Sequence, residues 1–220
     1  MILGFDLDET LISADLPHII SFNKAFKEEG LKKIEEKKLV KTFGPEGIEV
    51  VRSNFPRINI RKAREVVKRH DKILIKEGYK YAKALPHAKE VLKKLRKEKH
   101  ILIIISNCSH KNILCLLKGA KISRHFFSAV VGNDDVRKGK PAPNEIFKAQ
   151  KLVHHKVDFM IGDTIYDIRA AKRAKVKVIS VLTGHQSKAR LKKERPDYII
   201  RSLNELPNII KPYSNQQEYL

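Results

Sequence analysis

Residues 1–12, MILGFDLDETLI, place a short apolar run directly before two aspartates that are separated by a single leucine. In an extended strand alternate side chains point to the same side, so Asp6 and Asp8 are expected to lie close together. Two carboxylates at such a distance repel each other unless a cation or a proton is shared between them. The stretch therefore predicts a buried strand whose end holds a cation or handles a proton.

Further short apolar runs follow along the chain, and they are continuous rather than alternating with polar residues. Such runs indicate strands of a parallel sheet that helices cover on both faces. The predicted strands are Ile2–Leu7, Ile101–Ile105, Ala129–Gly132, Val157–Ile161 and Val176–Val181. Helical patterns lie between them, at His87–Glu98 and Asp167–Ala174. The alternation predicts an α/β fold, a Rossmann-like doubly wound parallel sheet.

The stretch from residue 15 to residue 82 has helical periodicity and no convincing strand. Gly30 and the sequence FGPEG at residues 43–47 divide it into pieces. A helical insert placed directly after the first strand is expected to lie over the strand ends. We therefore predict an inserted all-helical cap domain at residues 15–82, a catalytic core formed by residues 1–14 and 83–212, and a polar C-terminal tail at residues 213–220.

The chain is strongly basic: its 220 residues include 46 lysines and arginines against 25 aspartates and glutamates, a net charge of +21. A field of this sign attracts polyanions, so nucleic acid or an acidic small molecule has to be considered as a partner. The basic residues are spread along the chain, without the aromatic signature of an RNA-recognition module or the spacing of a zinc finger. We therefore predict no specific nucleic-acid binding, and a basic nucleic-acid-binding protein that retains the fold stays open as an alternative.

Cysteine content and hydropathy favour a cytoplasmic protein. The sequence has no apolar run long enough to span a bilayer, and its first residues lack the basic leader of a signal peptide. Cys108 and Cys115 are the only cysteines, and we expect both to be reduced thiols. The prediction is a cytoplasmic chain that does not associate with membranes.

Short polar segments fall at the predicted carboxyl ends of the strands, the edge at which open α/β sheets bind ligands. These segments are DLDET at residues 6–10, SN at 106–107, KGKPAP at 138–143 and GDTIYD at 162–167. Carboxylates at this edge suit a hard cation such as Mg²⁺, while lysine and hydroxyl groups bind phosphate oxygens. A carboxylate can also act as a nucleophile toward phosphorus. The sequence therefore predicts a site for Mg²⁺ and a small phosphorylated substrate.

In order and spacing these segments resemble the four motifs of the haloacid dehalogenase-like superfamily of phosphotransferases. FDLDETL is similar to the first motif of that family, IISN to the second, KGKPAP to the third and MIGDTIYDIRAAKRA to the fourth. The helical insert lies where the family has its C1 cap, and the resemblance covers the chain apart from its tail. The pattern from GKPAP to PDYIIRSLNEL is most similar to phosphoglycolate phosphatase-like members.

The resemblance implies a Mg²⁺-dependent phosphatase, with phosphoglycolate as one possible substrate, and a catalytic role for three residues. Asp6 would be the nucleophile that forms an aspartyl-phosphate, and Asp8 would protonate the leaving oxygen and then deprotonate the attacking water. Acid–base help of this kind contributes about 10²–10⁴-fold. Lys140 would offset the charge that builds up in the transition state. Family members that displace halide have no acid at the position of Asp8, so its presence favours phosphate esters.

The same resemblance implies the metal and substrate ligands. Mg²⁺ would be held by Asp6, the backbone carbonyl of Asp8 and Asp163, with Asp167 as the fourth residue of the metal site. Asp167 would act through water or by orienting Lys140. The groups that bind the phosphoryl oxygens of the substrate would be Ser106, Asn107 and Lys140.

Glu9 departs from the family pattern, because most phosphatases of the C1-capped group have glycine at this position. We expect its carboxylate to face the site entrance, where it would add negative charge in the path of an anionic substrate. Two further activities on the same core stay open. A phosphosugar mutase needs a cap residue that delays hydrolysis of the aspartyl-phosphate, and a phosphonate hydrolase needs a cap lysine that forms a Schiff base.

Several neighbouring residues are not expected to be catalytic. Cys108 follows the second motif, but the sequence shows no partner base that would make it a nucleophile. Asp134 and Asp135, in GNDDV, are explained by a turn after a strand. Lys41, Arg52 and Arg57 of the insert are candidates for binding a second anionic group of the substrate, although solvated helix faces explain them more simply.

Overall fold

The computed structural model describes residues 1–214, so residues 215–220 of the predicted polar tail lie outside the described part of the chain. The strands are β1 (Ile2–Phe5), β2 (Ile12–Ser13), β3 (Lys83–Ala84), β4 (Ile101–Ile105), β5 (Ala129–Val131), β6 (Phe159–Gly162), β7 (Lys177–Val181) and β8 (Tyr198–Ile200). The α-helices are α1 (Asp15–Glu28), α2 (Glu36–Leu39), α3 (Gly47–Asn54), α4 (Ile60–Lys76), α5 (Ala88–Lys97), α6 (His110–Gly119), α7 (Asn144–Val153), α8 (Ile165–Arg173), α9 (Lys188–Lys193) and α10 (Leu206–Ser214). Short 3₁₀ segments lie at Val40–Thr42, Gly78–Tyr81, Arg124–Phe126, Asn133–Asp135 and Leu203–Glu205.

A parallel sheet of six strands forms the centre of the molecule, in the order β5-β4-β1-β6-β7-β8. β1 lies in its middle, where Leu3 is paired with Leu102 of β4 on one side and with Phe159 of β6 on the other. The chain runs outward in opposite directions on the two sides of β1, and open α/β sheets bind ligands at such a switch point. The prediction of a Rossmann-like doubly wound parallel sheet is confirmed.

Helices cover both faces of this sheet, which explains why its strands are continuously apolar. In β4, Leu102 and Ile104 belong to a hydrophobic cluster that includes side chains of α5, α6 and α10. The alternate residues Ile103 and Ile105 belong to a second cluster, which includes side chains of α7, α8 and α9. Because successive side chains of a strand point to opposite faces, both faces of β4 are buried.

Sequence and structure differ at the end of β1 and at β8. β1 ends at Phe5 rather than at Leu7, because the Leu7 carbonyl accepts backbone hydrogen bonds from residues 10–12 and turns the chain back. Asp6 and Asp8 therefore lie in a tight loop beyond the strand, rather than within it as the strand geometry predicts. β8 has only three residues, of which Ile200 alone is buried, so it lacks the apolar run that marks the other strands.

The insert between β2 and β3 is helical and has a hydrophobic cluster of its own. α1 packs along α4, and the cluster includes Phe22 and Phe26 of α1 with Val66 of α4. β2 and β3 pair in antiparallel fashion, with Ile12 opposite Ala84, so the chain leaves and rejoins the core at neighbouring points. The division into a core and a cap at residues 15–82 stays a prediction, and the separate cluster supports it.

The described α-helices have between 4 and 17 residues. α4, the longest described helix, has 17 residues and carries charged side chains along its length. Within residues 1–214, none of the helices combines the length and the apolar composition that crossing a bilayer requires. α10 continues to Ser214, so the predicted end of the core at residue 212 lies inside this helix.

Candidate active site

Loops at the carboxyl edge of the sheet bring the predicted site residues together. The loop after β1 carries Asp6 and Asp8, the loop after β4 carries Ser106 and Asn107, and Asp163 directly follows β6. Lys140 comes from the loop before α7, and Asp167 lies in the first turn of α8. Parallel strands end at the same edge of a sheet, which is why segments more than a hundred residues apart in sequence meet here.

Lys140 is the buried cation of the site. Its Nζ lies 2.7 Å from Oδ1 of Asp6, 2.6 Å from Oδ1 of Asp167 and 2.9 Å from the carbonyl oxygen of Ile105. Burial alone would lower the pKa of Lys140, but the charges of Asp167 and Asp6 raise it above its ordinary value. The ammonium group is therefore charged and offsets two buried carboxylates.

Three carboxylates converge beside this lysine: Asp6, Asp163 and Asp167 each offer an oxygen, and these oxygens lie within 4.8 Å of one another. Burial raises the pKa of Asp6 to about 7, against the opposing effect of Lys140. Burial, followed by the charges of Asp6 and Asp167, raises the pKa of Asp163 well above its ordinary value. Three acids with one lysine leave an excess of negative charge, which a divalent cation would neutralise. The donor set, oxygen throughout, fits a hard cation such as Mg²⁺.

The three acids are not equivalent as ligands. Asp6 and Asp163 line the cavity at this edge of the sheet, and Oδ1 of Asp163 accepts a hydrogen bond from Thr10 at 3.2 Å. Asp167 is fully buried, and its Oδ2 accepts hydrogen bonds from the backbone nitrogen and the hydroxyl of Thr164, at 3.0 and 2.6 Å. Asp167 thus both caps α8 and holds Lys140. These contacts favour Asp6 and Asp163 as direct ligands of the cation. Asp167 would act on the site indirectly, through Lys140.

Asp8 points toward a different set of partners from Asp6. Its Oδ2 lies 3.1 Å from Nε2 of His18 and 3.0 Å from Sγ of Cys108, while Oδ1 has no hydrogen-bond donor among the described residues. Burial would raise the pKa of Asp8, but the charge of His18 and the hydrogen bonds from His18 and Cys108 lower it. Burial would likewise lower the pKa of His18, which the Asp8 carboxylate raises. Asp6 and Asp8 therefore occupy separate environments although they are neighbours in sequence.

His18 belongs to a chain of hydrogen bonds that crosses the insert, and sequence reasoning missed it. Its Nδ1 lies 3.0 Å from Nε2 of His70, and Nδ1 of His70 lies 2.9 Å from Oδ1 of Asp71. Asn112 of α6 donates to the same Asp71 oxygen at 2.7 Å. The chain of bonds therefore begins at Asp8, passes through α1 and α4 of the insert, and returns to the core. No motif marks these residues, because only the packing of α1 against α4 makes them neighbours.

Ser106 and Asn107 both line the cavity, and their contacts differ. Ser106 is buried, and its hydroxyl accepts a hydrogen bond from the backbone nitrogen of Cys108 at 3.2 Å. Nδ2 of Asn107 donates to the carbonyl of Gly44 in the insert at 2.8 Å and to the carbonyl of Lys140 at 3.0 Å. Asn107 therefore joins the insert to the loop that carries the lysine, and its Oδ1 has no donor among residues 1–214.

Glu9 has a structural task that sequence reasoning did not anticipate. Its backbone adopts a left-handed conformation, with φ of 51°. Its Oε1 accepts hydrogen bonds from the backbone nitrogens of Ala14 at 2.8 Å and Asp15 at 3.3 Å, at the start of α1. Glu9 also lines the cavity, and its carboxylate satisfies backbone N–H groups in the first turn of the insert.

Cys108 is not an activated nucleophile. Burial and the neighbouring Asp8 raise the pKa of its thiol well above the ordinary value. This agrees with the expectation from the sequence, although the structure does bring a histidine near, with Nε2 of His18 at 3.8 Å from the sulfur. Asp134 and Asp135 lie in the 3₁₀ segment after β5, as their turn explanation predicts.

The cavity between the sheet loops and the insert has a volume of about 540 Å³. Its lining includes Lys41 from the insert and Arg190 from α9, two cationic side chains near the acidic site. Arg52, another candidate from the sequence, instead pairs with Glu49 at 3.4 Å on an exposed face of α3. Insert and core meet again where the backbone nitrogen of Gly139 donates to Glu46 at 2.7 Å. The site is thus a cavity between the core and the insert, with buried acids at its base and cationic groups in its wall.

Comparison with known proteins shows which protein family the chain matches. Residues 3–181 match the family model described as haloacid dehalogenase-like hydrolase. Pyrophosphatase PpaX of Oceanobacillus iheyensis is 31% identical, over 94% of this chain and 94% of its own. Phosphoglycolate phosphatase of Aquifex aeolicus is 25% identical, over 95% of this chain and 96% of its own. The crystal structure of a hydrolase from Pseudomonas syringae, 24% identical, has a TM-score of 0.83 and covers 96% of this chain and 98% of its own, which shows a common fold.

Proposed function

The chain belongs to the haloacid dehalogenase-like hydrolase family and is a phosphatase of that family, and we propose that it hydrolyses a small phosphorylated metabolite with Mg²⁺ as cofactor. One observation carries the proposal: the Asp6 carboxylate lines the cavity, 2.7 Å from the buried ammonium group of Lys140 and beside Asp163. A carboxylate held in this way combines a fixed position with charge compensation, the two requirements of a nucleophile toward phosphorus.

Asp6 is the proposed nucleophile and Asp8 the proposed acid and base. The carboxylate of Asp6 attacks phosphorus, the bond to the leaving oxygen breaks, and the leaving oxygen takes a proton through Asp8, which draws it from the protonated His18. Water then gives a proton to Asp8 and attacks the phosphorus of the aspartyl-phosphate, which releases Asp6 and inorganic phosphate. The different environments of the two acids support different roles. Asp6 is hydrogen-bonded to Lys140, whereas Asp8 is hydrogen-bonded to His18 and Cys108.

Asp6, Asp163 and the backbone carbonyl of Asp8 are the proposed ligands of Mg²⁺, with Asp167 behind them. When bound, Mg²⁺ would neutralise part of the negative charge of the phosphoryl group and help to orient it. Lys140 holds the carboxylates of Asp6 and Asp167 in place through an ion pair with each of them. The hydroxyl of Ser106 and the backbone N–H of Asn107 are the proposed contacts to the phosphoryl oxygens, because the side-chain amide of Asn107 already donates to two carbonyls.

We propose that the substrate carries a second anionic group besides the phosphoryl group that is removed. Lys41 and Arg190 provide two positive charges in the lining of the cavity. A cavity of about 540 Å³, covered by the insert, suits a small metabolite rather than a polymer. Pyrophosphate and phosphoglycolate, the substrates that the names of two relatives suggest, both fit this description. The two free thiols, Cys108 and Cys115, support a reducing, cytoplasmic location.

Release of inorganic phosphate from a panel of small phosphates tests the proposal. The panel includes pyrophosphate, phosphoglycolate and a neutral-tailed ester, each with Mg²⁺ and with EDTA. We expect turnover that requires Mg²⁺ and that falls by about 10³-fold or more in Asp6→Asn. Asp134→Asn, which removes an exposed acid from the turn after β5, is the matched control and keeps wild-type activity. Turnover in EDTA, or substantial turnover by Asp6→Asn, would overturn the mechanism.

Lys41→Ala and Arg190→Ala test the second anionic group. Each variant is expected to raise KM for pyrophosphate or phosphoglycolate by about tenfold and to change KM for the neutral-tailed ester much less. Equal effects on all three substrates would mean that these side chains do not distinguish between them.

A further inference from the structure

Three side chains of different chemistry converge at one corner of the cavity, next to the carboxylates already described. Oδ2 of Asp8 lies 3.1 Å from Nε2 of His18 and 3.0 Å from Sγ of Cys108, and the sulfur lies 3.8 Å from the same His18 nitrogen. They come from three parts of the chain: the loop after β1, helix α1 of the insert and the loop after β4. All three line the cavity, so the cluster can be reached from it.

The triangle of donor atoms has the size of a transition-metal site. Around one tetrahedral Zn²⁺, with bonds of about 2.3 Å to sulfur and about 2.0–2.1 Å to nitrogen or oxygen, donor atoms lie about 3.3–3.6 Å apart. The separations found here, 3.0, 3.1 and 3.8 Å, lie on both sides of that range. Small side-chain adjustments would therefore place all three atoms around one ion, with the cavity side left for a fourth ligand.

The second ring nitrogen of His18 is hydrogen-bonded, as it is in metal-binding histidines. Nδ1 of His18 lies 3.0 Å from Nε2 of His70, which in turn is fixed by Asp71 at 2.9 Å. With the Nδ1 nitrogens acting as donors along this chain, Nε2 of His18 carries the proton that it donates to Asp8, and loss of that proton to the solvent frees its lone pair for a metal ion. A hydrogen bond from the second ring nitrogen is a regular feature of metal-binding histidines.

We propose that Asp8, His18 and Cys108 form a second metal site, separate from the carboxylate site, that binds Zn²⁺ and inhibits the enzyme. A thiolate, an imidazole and a carboxylate suit Zn²⁺, whereas Mg²⁺ prefers oxygen donors, so the two neighbouring sites differ in selectivity. Zinc binding stands apart from the proposed function, while the inhibition rests on it, because the ion would occupy the carboxylate that transfers the proton.

Binding involves proton release and no electron transfer. Zn²⁺ takes the place of the thiol proton of Cys108 and of any proton on Nε2 of His18, and both protons go to the solvent. The bound ion would also tie α1 of the insert to the loops after β1 and β4. Inhibition therefore has two components: Asp8 no longer exchanges a proton with the substrate, and the insert no longer moves away from the sheet.

Co²⁺ added to the full-length chain in saturating Mg²⁺ is the first test, because it reports thiolate ligation without any activity. We expect a thiolate-to-cobalt charge-transfer band in the near ultraviolet at one equivalent, which one equivalent of Zn²⁺ abolishes. The band is expected in Cys115→Ser, the matched control on α6, and absent in Cys108→Ser. A wild-type protein without the band would overturn the proposal, whether or not either variant folds.

Inhibition of phosphate release by Zn²⁺, again in saturating Mg²⁺, is the second test. We expect the Zn²⁺ concentration for half inhibition to rise by about tenfold or more in Cys108→Ser and to stay unchanged in Cys115→Ser. Equal inhibition of all three proteins would place the effect of Zn²⁺ at the carboxylate site and overturn the inhibitory role. If the chain released no phosphate at all, the proposed function would fail, while the cobalt spectrum would still decide the metal site.

Discussion

Nε2 of His18, a side chain of the insert, lies 3.1 Å from Oδ2 of Asp8, which belongs to the loop that follows the central strand. The histidine is held in turn by His70 at 3.0 Å, on the neighbouring helix of the insert. The position of the insert and the orientation of the proposed acid and base are therefore linked through one hydrogen bond. Closure over a substrate and preparation of the proton donor would occur together.

His18→Ala is expected to lower kcat by about tenfold to a hundredfold, less than the full contribution of acid–base catalysis, because Asp8 itself remains. The loss should be large for an alkyl phosphate, whose leaving oxygen needs a proton. It should be small for p-nitrophenyl phosphate, whose leaving group departs without one. Steady-state kinetics on both esters measure the difference, with the exposed His125→Ala as control. An equal loss on the two esters would show that His18 does not act through proton transfer.

Lys140→Ala is expected to destabilise the fold, because it leaves the buried carboxylates of Asp6 and Asp167 without their cation. Removing one partner of a buried ion pair costs about 3–5 kcal/mol. Urea unfolding in EDTA measures the loss, and Mg²⁺ should restore part of it by supplying positive charge to the same carboxylates. Lys138→Ala, two residues away and exposed, is the control and should change the free energy of unfolding by less than about 0.5 kcal/mol. A Lys140→Ala protein as stable as this control would contradict the assignment.

Gly184 lies outside the four sequence motifs, and Gly184→Ala is nevertheless expected to weaken metal binding. A Cβ at this position would overlap Oδ2 of Asp163 and lie 2.7 Å from its Cγ, so the carboxylate would have to move. We expect the affinity for Mn²⁺, followed by its electron paramagnetic resonance signal, to fall by about tenfold to a hundredfold. Gly30→Ala is the control: with φ of 73° it strains the backbone, but apart from its two chain neighbours no described residue has an atom within 4 Å of its Cβ position. A similar loss of affinity in both variants would mean that general destabilisation is the cause.

The sheet and the carboxylates could be predicted because each leaves a local signal in the sequence. β4, at Ile101–Ile105, is a continuous apolar run because both of its faces are covered, and such a run is visible without any tertiary information. The end of a parallel strand also predicts where polar side chains meet. Asp6, Asp163 and Lys140 lie at that edge because the segment that carries each of them follows a strand of the parallel sheet.

The contribution of the insert could not be predicted, because it depends on how helices pack. His18 and His70 are 52 residues apart, and each lies on a helix whose periodicity indicates only a buried face. The role of Glu9 was missed for a related reason. Its left-handed backbone is what turns the carboxylate back onto the start of α1, and backbone conformation at a single residue leaves no pattern in the sequence.

Glu145 is fully buried in the first turn of α7, and neither of its carboxylate oxygens has a hydrogen-bond donor among the residues that the structure describes. Burial raises its pKa from 4.5 to about 8, although the charge of Lys140 opposes the shift. The folded chain therefore keeps a proton on Glu145 at neutral pH, while the unfolded chain releases it.

This difference makes Glu145 a source of pH-dependent stability. From pH 4.5 to about 8 the unfolded state binds fewer protons at this group than the folded state, so its contribution to stability falls as pH rises. Glu145→Gln keeps the shape of the neutral acid and has no proton to lose. We expect urea unfolding to give nearly equal free energies for the two proteins at the acidic end of this range, and a more stable variant at its alkaline end. Glu36→Gln, at an exposed glutamate, is the control and should retain the wild-type slope. Parallel pH profiles for wild type and Glu145→Gln would show that the buried acid is ionised in the folded chain, with Lys140 shared among three carboxylates rather than two.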